Sequence, residues 1–231
     1  MTTILGIRAG KDNGIVLASD LQSTSLEELT KISNQKLYVS QDRKLVLAMS
    51  GIRDEKWDQF RGDVLSGKID IRKRIQEGVF PEFRDLNIER CNGTIFNQNE
   101  INSMLLAVNY DEPQLYVCWP LGAVNSKDIA FDGSGSKYVE EYLKSRSVVD
   151  YVEDSRLSVD PTTLKLPDTR RHAYFSLVYA SRHDLGSSGL DMVVMTPKEV
   201  IEYQGRLRDL NERYTRELIR VIENGEEPIK G

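Results

Sequence analysis

Two β-rich runs, residues 3–7 and 14–19, flank the segment Ala9-Gly10-Lys11-Asp12-Asn13-Gly14. Asn-Gly is a tight-turn signal because both residues tolerate positive φ, so the chain opens as a β-hairpin. A hairpin commits its strands to antiparallel pairing. The pattern repeats in residues 36–40 and 45–50, which turn at Gln41-Asp42-Arg43-Lys44. The period then changes: Ile52, Trp57, Phe60, Val64 and Leu65 fit one helix face that stops near Gly67. A second helical stretch, from about Ile69, is interrupted by Gly78 and Pro81.

Strands return over residues 103–110 and 114–119, joined by Asp111-Glu112-Pro113, and residues 129–132 form a short apolar run before Gly133-Ser134-Gly135-Ser136. Residues 137–144 read as a helix, 145–170 as polar loop with a little helix, 172–182 as a helix, and 190–195 and 199–203 as strands. Leu207, Leu210, Tyr214, Leu218 and Val221 recur at helical spacing, predicting a C-terminal helix over about 206–224. Strand blocks alternating with helix pairs predict an α+β fold in which helical layers cover antiparallel sheets. A chain of 231 residues can bury one sizeable core, and residues 1–231 read as a single domain.

A net charge of −5 leaves no basic surplus to neutralise phosphates, which argues against a nucleic-acid partner. Arg72-Lys73-Arg74 is matched by nearby acids and reads as solvated helix surface. Cys91 and Cys118 stand in no metal-ligand spacing and read as incidental thiols of a reducing compartment. No apolar run approaches the roughly 18 residues of a membrane span, and no charged-then-apolar leader opens the chain. The expected location is cytoplasmic, with no membrane partner. His172 and His183 make no recognisable metal or triad site, no glycine-rich phosphate loop follows a strand, and no cofactor is expected.

The chemistry begins at residue 2. Removal of methionine before a small threonine would expose Thr2 with a free α-amine. Such a residue holds nucleophile and base together: the hydroxyl attacks, and the amine, with a pKa of about 7.7–8.0, takes its proton. Met-Thr alone is a common opening. The surrounding motifs sharpen it. Thr2-Thr3-Ile4-Leu5-Gly6-Ile7, followed by Gly14-Ile15-Val16-Leu17-Ala18-Ser19-Asp20, resembles the opening of proteasome β subunits, N-terminal-nucleophile hydrolases of the threonine-peptidase type. Lys36-Leu37-Tyr38, Ala48-Met49-Ser50-Gly51, Gly133-Ser134-Gly135-Ser136 and Arg182-His183-Asp184-Leu185-Gly186-Ser187-Ser188-Gly189 resemble further motifs of that family, in its order, over residues 2–203.

The resemblance implies a four-layer αββα sandwich and a catalytic set of Thr2, Asp20, Lys36, Ser134, Asp184 and Ser187. Lys36 would keep positive charge beside the nucleophile, lowering the hydroxyl pKa, and Asp20 would hold the lysine charged and in place. The Gly51 amide would form the oxyanion hole, assisted by the dipole of the helix that follows. Ser23, Asn34, Tyr38, Met49 and Arg53 would line the pocket for the substrate's first side chain. The implied partners are a peptide or unfolded protein substrate, further copies of the chain in a ring, and an unfoldase or cap. Leu21-Gln22 departs from the family's basic pair, the helices after Gly51 are shorter, and residues 147–168 read as an insertion. A threonine endopeptidase, an acyl-transfer enzyme or protein ligase on the same fold, and a non-catalytic ring subunit are the readings that follow; the Thr/Lys set disfavours the last.

Overall fold

The opening hairpin founds the first sheet. In the computed structural model, which describes residues 3–24, 31–33, 35–51, 54–91, 102–145, 150–152, 156–158, 163–183 and 190–203, β1 (Thr3–Ala9) pairs with β2 (Gly14–Ser19). The turn is a short 3-10 segment (Gly10–Asp12) closed by Asn13 at φ 48°, a conformation that asparagine tolerates better than most residues. Short strands β3 (Gln22–Thr24) and β4 (Lys31–Ser33) pair with each other, and β5 (Leu37–Val39) with β6 (Leu45–Ser50). Three helices follow: α1 (Glu55–Leu65), α2 (Ile71–Glu77) and α3 (Pro81–Arg90). Then come β7 (Ser103–Asn109), β8 (Pro113–Cys118), β9 (Val124–Ser126), β10 (Ile129–Gly133) and α4 (Ser136–Ser145). The hairpin β11 (Asp150–Val152) and β12 (Arg156–Ser158), the long helix α5 (Leu166–His183), β13 (Asp191–Met195) and β14 (Val200–Glu202) complete the described elements.

The fold is mixed α+β with two five-stranded sheets, ordered β10-β1-β2-β13-β14 and β5-β6-β7-β8-β9. Every neighbouring pair in both is antiparallel. The period-2 rule of strands explains how each sheet is buried on both faces. Ile4, Ile15, Leu17, Val193 and Met195 of the first sheet meet Val46, Ala48, Leu105, Ala107, Leu115 and Val117 of the second in one core. The alternate residues Leu5, Ile7, Val16, Ala18, Met192 and Val194 pack on α4 and α5. On the far side, Leu45, Leu47, Met104, Leu106 and Val108 pack on Trp57, Phe60 and Val64 of α1 and Phe83 of α3. Trp57 stands edge-on to Phe60 and Phe83, with centroids 5.7 and 5.5 Å apart, a favoured aromatic geometry.

The helices start and stop for local reasons. The Asp54 side chain accepts the Trp57 N–H at 3.0 Å and caps α1, and Asp70 does the same for α2 through the Lys73 N–H. Gly78, at φ 68°, ends α2, and Pro81 begins α3, so the interrupted stretch is two helices and the first helical block holds three. Basic Arg72, Lys73 and Arg74 pair with Asp111, Glu77 and Glu82 on the α2 surface, as expected for a solvated face.

Residues 145–170 hold more regular structure than the expected loop with a little helix. They contain the β11–β12 hairpin, and α5 begins at Leu166 instead of His172. Its start is fixed from a distance: the Leu166 N–H donates to Asp12 Oδ2 at 2.5 Å, and Lys11 N–H donates to Leu164 O at 3.0 Å. A cap supplied by the opening hairpin turn leaves no mark in the local sequence. The predicted helix over 206–224 lies outside the described residues. No helix among the described residues is long and apolar enough to cross a membrane.

Gly6 lets the two sheets approach: a Cβ there would lie 2.8 Å from Leu115 Cδ1 and 2.9 Å from Leu17 Cδ2. Both leucines sit in the packed inter-sheet core. Gly6→Val should therefore overpack that core and lower the unfolding free energy by about 1–3 kcal/mol. The check is a urea titration, in which the midpoint falls while the slope holds.

Candidate functional site

One end of the inter-sheet space is polar. Thr3, Ser19, Asp20, Lys36, Ser50 and Asp191 are all buried there or on the strands that lead to it. The network is anchored on Asp20, which immediately follows β2. Its Oδ1 accepts both the Thr3 N–H and the Lys36 ammonium, each at 2.7 Å. The Asp20 N–H donates in turn to Thr3 O at 3.1 Å. Lys36 and Asp20 are 5 % and 1 % exposed, so the ion pair lies in the protein interior. Residues 3, 20 and 36 are thereby locked together.

Burial pushes the Asp20 carboxyl above its ordinary 3.8, against the opposing pull of the Lys36 charge, its hydrogen bond and the Thr3 amide. The geometry accounts for this direction: both hydrogen bonds fall on Oδ1, and Oδ2 is buried with no partner among the described residues. Ser19 Oγ is likewise buried without one.

The Thr3 side chain ties in a third element. Its Oγ1 accepts the Gly135 N–H at 3.1 Å, while Gly133 is its register partner across β1–β10. Gly133 adopts φ 102°, a glycine conformation, and Gly135 O accepts the Tyr138 and Val139 N–H groups that begin α4. The Gly-Ser-Gly-Ser segment is thus the junction that sets α4 against the start of β1. Ser134, one residue past Gly133, is exposed.

Gly51 follows the last residue of β6 at φ 103°. The neighbouring Ser50 donates its hydroxyl to Asp132 Oδ2 at 2.7 Å and so bridges the two sheets. The helix-dipole assistance expected at Gly51 is not supported: α1 begins only at Glu55, and its end is capped by Asp54. Met49 and Lys36 lie opposite each other, with the Met49 N–H donating to Lys36 O at 3.3 Å. Tyr38 is half-buried; its hydroxyl donates to Gln35 O at 2.5 Å, and the Arg61 guanidinium lies 4.3 Å from its ring centroid.

The structure thus brings Asp20 and Lys36 together beside Thr3, sets Met49 against Lys36, and places Gly133 to Gly135 against β1. Thr2, Asn34, Arg53, Asp184 and Ser187 lie outside the described residues, and Ser23 is described only as a residue of β3. Thr2 is one peptide bond from Thr3. Asp184 and Ser187 belong to the connection between His183 of α5 and Asp191 of β13, and Asp191 pairs with Ser19, next to Asp20. Sequence reading missed Asp132, Asp191, Asn87 and Asn102. Asn87 carried a signal: it lies four residues after Phe83, a polar side chain on the buried face of α3. His183 packs against Tyr138 and Tyr179, with centroids 5.3 and 4.4 Å away. No group of three or more His, Cys, Asp or Glu side chains suited to a metal occurs among the described residues.

No family model matches the chain, and no curated protein matches it.

The raised Asp20 pKa gives a pH dependence with a definite sign. Between 3.8 and the native value, the folded chain holds a proton that the unfolded chain has released. The Asp20 contribution to stability is therefore fullest below pH 3.8 and is lost as the pH rises through the native value. Unfolding titrations of wild type and Asp20→Asn across acidic pH should show wild type losing ground to the variant as pH increases. A constant difference would contradict the assignment.

Proposed function

We propose that the chain is a threonine-type endopeptidase of the proteasome β class, with Thr2 as an N-terminal nucleophile released by cleavage after Met1. The observation that carries this reading is the buried Lys36–Asp20 pair, whose Oδ1 also holds the Thr3 amide. A buried ammonium is costly to keep unless its charge is used or compensated. Here its carboxylate partner also holds the amide of Thr3, the residue that follows Thr2 in the sequence, and an N-terminal Thr2 would be a hydroxyl–amine combination able to act as its own base. The two antiparallel sheets, with helices packed on their outer faces, agree with the four-layer αββα sandwich of N-terminal-nucleophile hydrolases.

In this mechanism Thr2 Oγ attacks the scissile carbonyl carbon and its proton passes to the Thr2 α-amine. The Lys36 charge lowers the hydroxyl pKa and disfavours a second positive charge on the amine. The carbonyl oxygen becomes an oxyanion facing the Gly51 N–H. Collapse breaks the C–N bond, and the leaving amine takes the proton from the α-ammonium. Water, deprotonated by the same amine, then attacks the ester and restores the threonine. Ser134, Asp184 and Ser187 would orient the amine and relay its proton. Confinement of the nucleophile inside a ring of identical chains would protect other proteins, with contacts on the helices between residues 52 and 90 and on α4.

Thr2→Ala should abolish hydrolysis of short fluorogenic peptides, a loss of several orders of magnitude, while the thermal unfolding profile is retained. Thr2→Ser should keep part of the rate. Because Lys36 supplies charge and not bulk, Lys36→Met should be as inactive as Lys36→Ala. Near-wild-type turnover by Thr2→Ala or Lys36→Met would remove the basis of the reading.

A further inference from the structure

Two buried amides stand behind Gly51. Asn87 and Asn102 are 3 % and 1 % exposed. Asn87 Oδ1 accepts the Asn102 N–H at 2.9 Å. Asn87 Nδ2 lies within hydrogen-bonding distance of three carbonyl oxygens: Phe83 O at 3.2 Å, Asn102 O at 3.3 Å and Pro120 O at 3.2 Å. One side chain therefore joins α3, the residue that leads into β7 and the segment that leaves β8. Asn102 is held through both its backbone N–H and its carbonyl.

The held residue reaches Gly51. A Cβ built on Gly51 would lie 1.8 Å from Asn102 Oδ1 and 2.9 Å from Asn102 Cα, so the Asn102 side chain fills the space a residue-51 side chain would need. Ser50 and Ser103 are register partners, which sets Asn102 and Gly51 just past the last rung of the β6–β7 ladder. At φ 103° a glycine is otherwise free to move, because no Cβ restricts it. Here the neighbouring side chain supplies the restriction.

We propose that Asn87 and Asn102 are positioning residues that clamp the Gly51 peptide so that its N–H faces the substrate carbonyl oxygen. The proposal rests on the threonine-nucleophile reading of the same site. Preorganised donors stabilise a developing oxyanion because they need not reorient as charge appears. A Gly51 released from Asn102 would make the same bond less often and less well aligned. The clamp touches neither Thr2 nor Lys36 in this scheme, so loosening it should weaken charge stabilisation on oxygen and leave the nucleophile alone.

Two threonine-directed probes separate these effects. A β-lactone is opened through a tetrahedral oxyanion at its carbonyl. A peptide vinyl sulfone takes the Thr2 oxygen on its alkene carbon and a proton on the adjacent one, with no carbonyl oxyanion. The experiment measures the labelling rate of the processed full chain by each probe, for wild type, Asn102→Ala and Asn87→Ala, with thermal unfolding as a fold control. Removing a whole oxyanion donor costs about 10²- to 10³-fold, so a misaligned one should slow β-lactone labelling by about 10- to 100-fold in Asn102→Ala. Vinyl sulfone labelling should change by less than about threefold. Asn87→Ala loosens Asn102 from behind and should show the same split, smaller, should Asn102→Ala fail to fold. Equal slowing of both probes, or of neither, overturns the clamp alone. A wild-type protein that takes neither label overturns the threonine reading, and the clamp with it.

Discussion

A lysine ammonium and an aspartate carboxylate share the interior of this molecule at 2.7 Å. Taking two charges out of water costs several kcal/mol per ion, and their mutual attraction recovers this only when the geometry is tight. Three elements supply that geometry: the end of β2 carries Asp20, the lead into β5 carries Lys36, and the first residue of β1 donates its amide to the same carboxylate oxygen. The pair is a poor device for stability, since apolar residues of similar volume would often serve as well. Its place beside the start of β1 makes sense when the charge acts on what precedes Thr3.

The rest of the architecture serves this junction. The first sheet brings β1, β2 and β13 side by side, so that residues 3, 19 and 191 end near one another. The second sheet brings the approach to β5 opposite the end of β6, so that Lys36 meets Met49 and Gly51 follows two residues later. The Ser50 hydroxyl on Asp132 ties the two sheets together at this end, while the apolar inter-sheet core fixes their separation. The helices α4 and α5 then cover the first sheet, and α4 is registered to β1 through the Gly135–Thr3 contact. Charge, turn and packing converge at one end of the two sheets, around Thr3, Asp20 and Lys36.

Much of the fold was legible because β1, β2, β6, β7 and β13 are buried on both faces and so read as nearly continuous apolar runs between clear turns. The first two hairpins, the pair across Asp111-Glu112-Pro113 and the Trp57/Phe60/Val64 face of α1 all follow from local spacing. What escaped was set by distant partners. The start of α5 depends on Asp12, and the short strands β3, β4, β11 and β12 carry too few residues to show a period. The site divides the same way. Asp20 and Lys36 are an ordinary Asp and Lys as composition, sixteen residues apart, and became a pair only through the motif order of the family that the sequence resembles. The Asn102 contact with Gly51 joins residues that no local spacing connects and that meet only where β6 ends beside the start of β7.

The central claim is that the Lys36–Asp20 pair serves a nucleophile at residue 2. The most direct measurement is the intact mass of the purified chain before and after exposure to an irreversible threonine-directed β-lactone, with the modified peptide sequenced. The account predicts that the chain lacks Met1, gains a single adduct, and carries it on Thr2, and that Lys36→Met takes none. A chain that lacks Met1 and stays unmodified, or one whose adduct lies elsewhere, would contradict it.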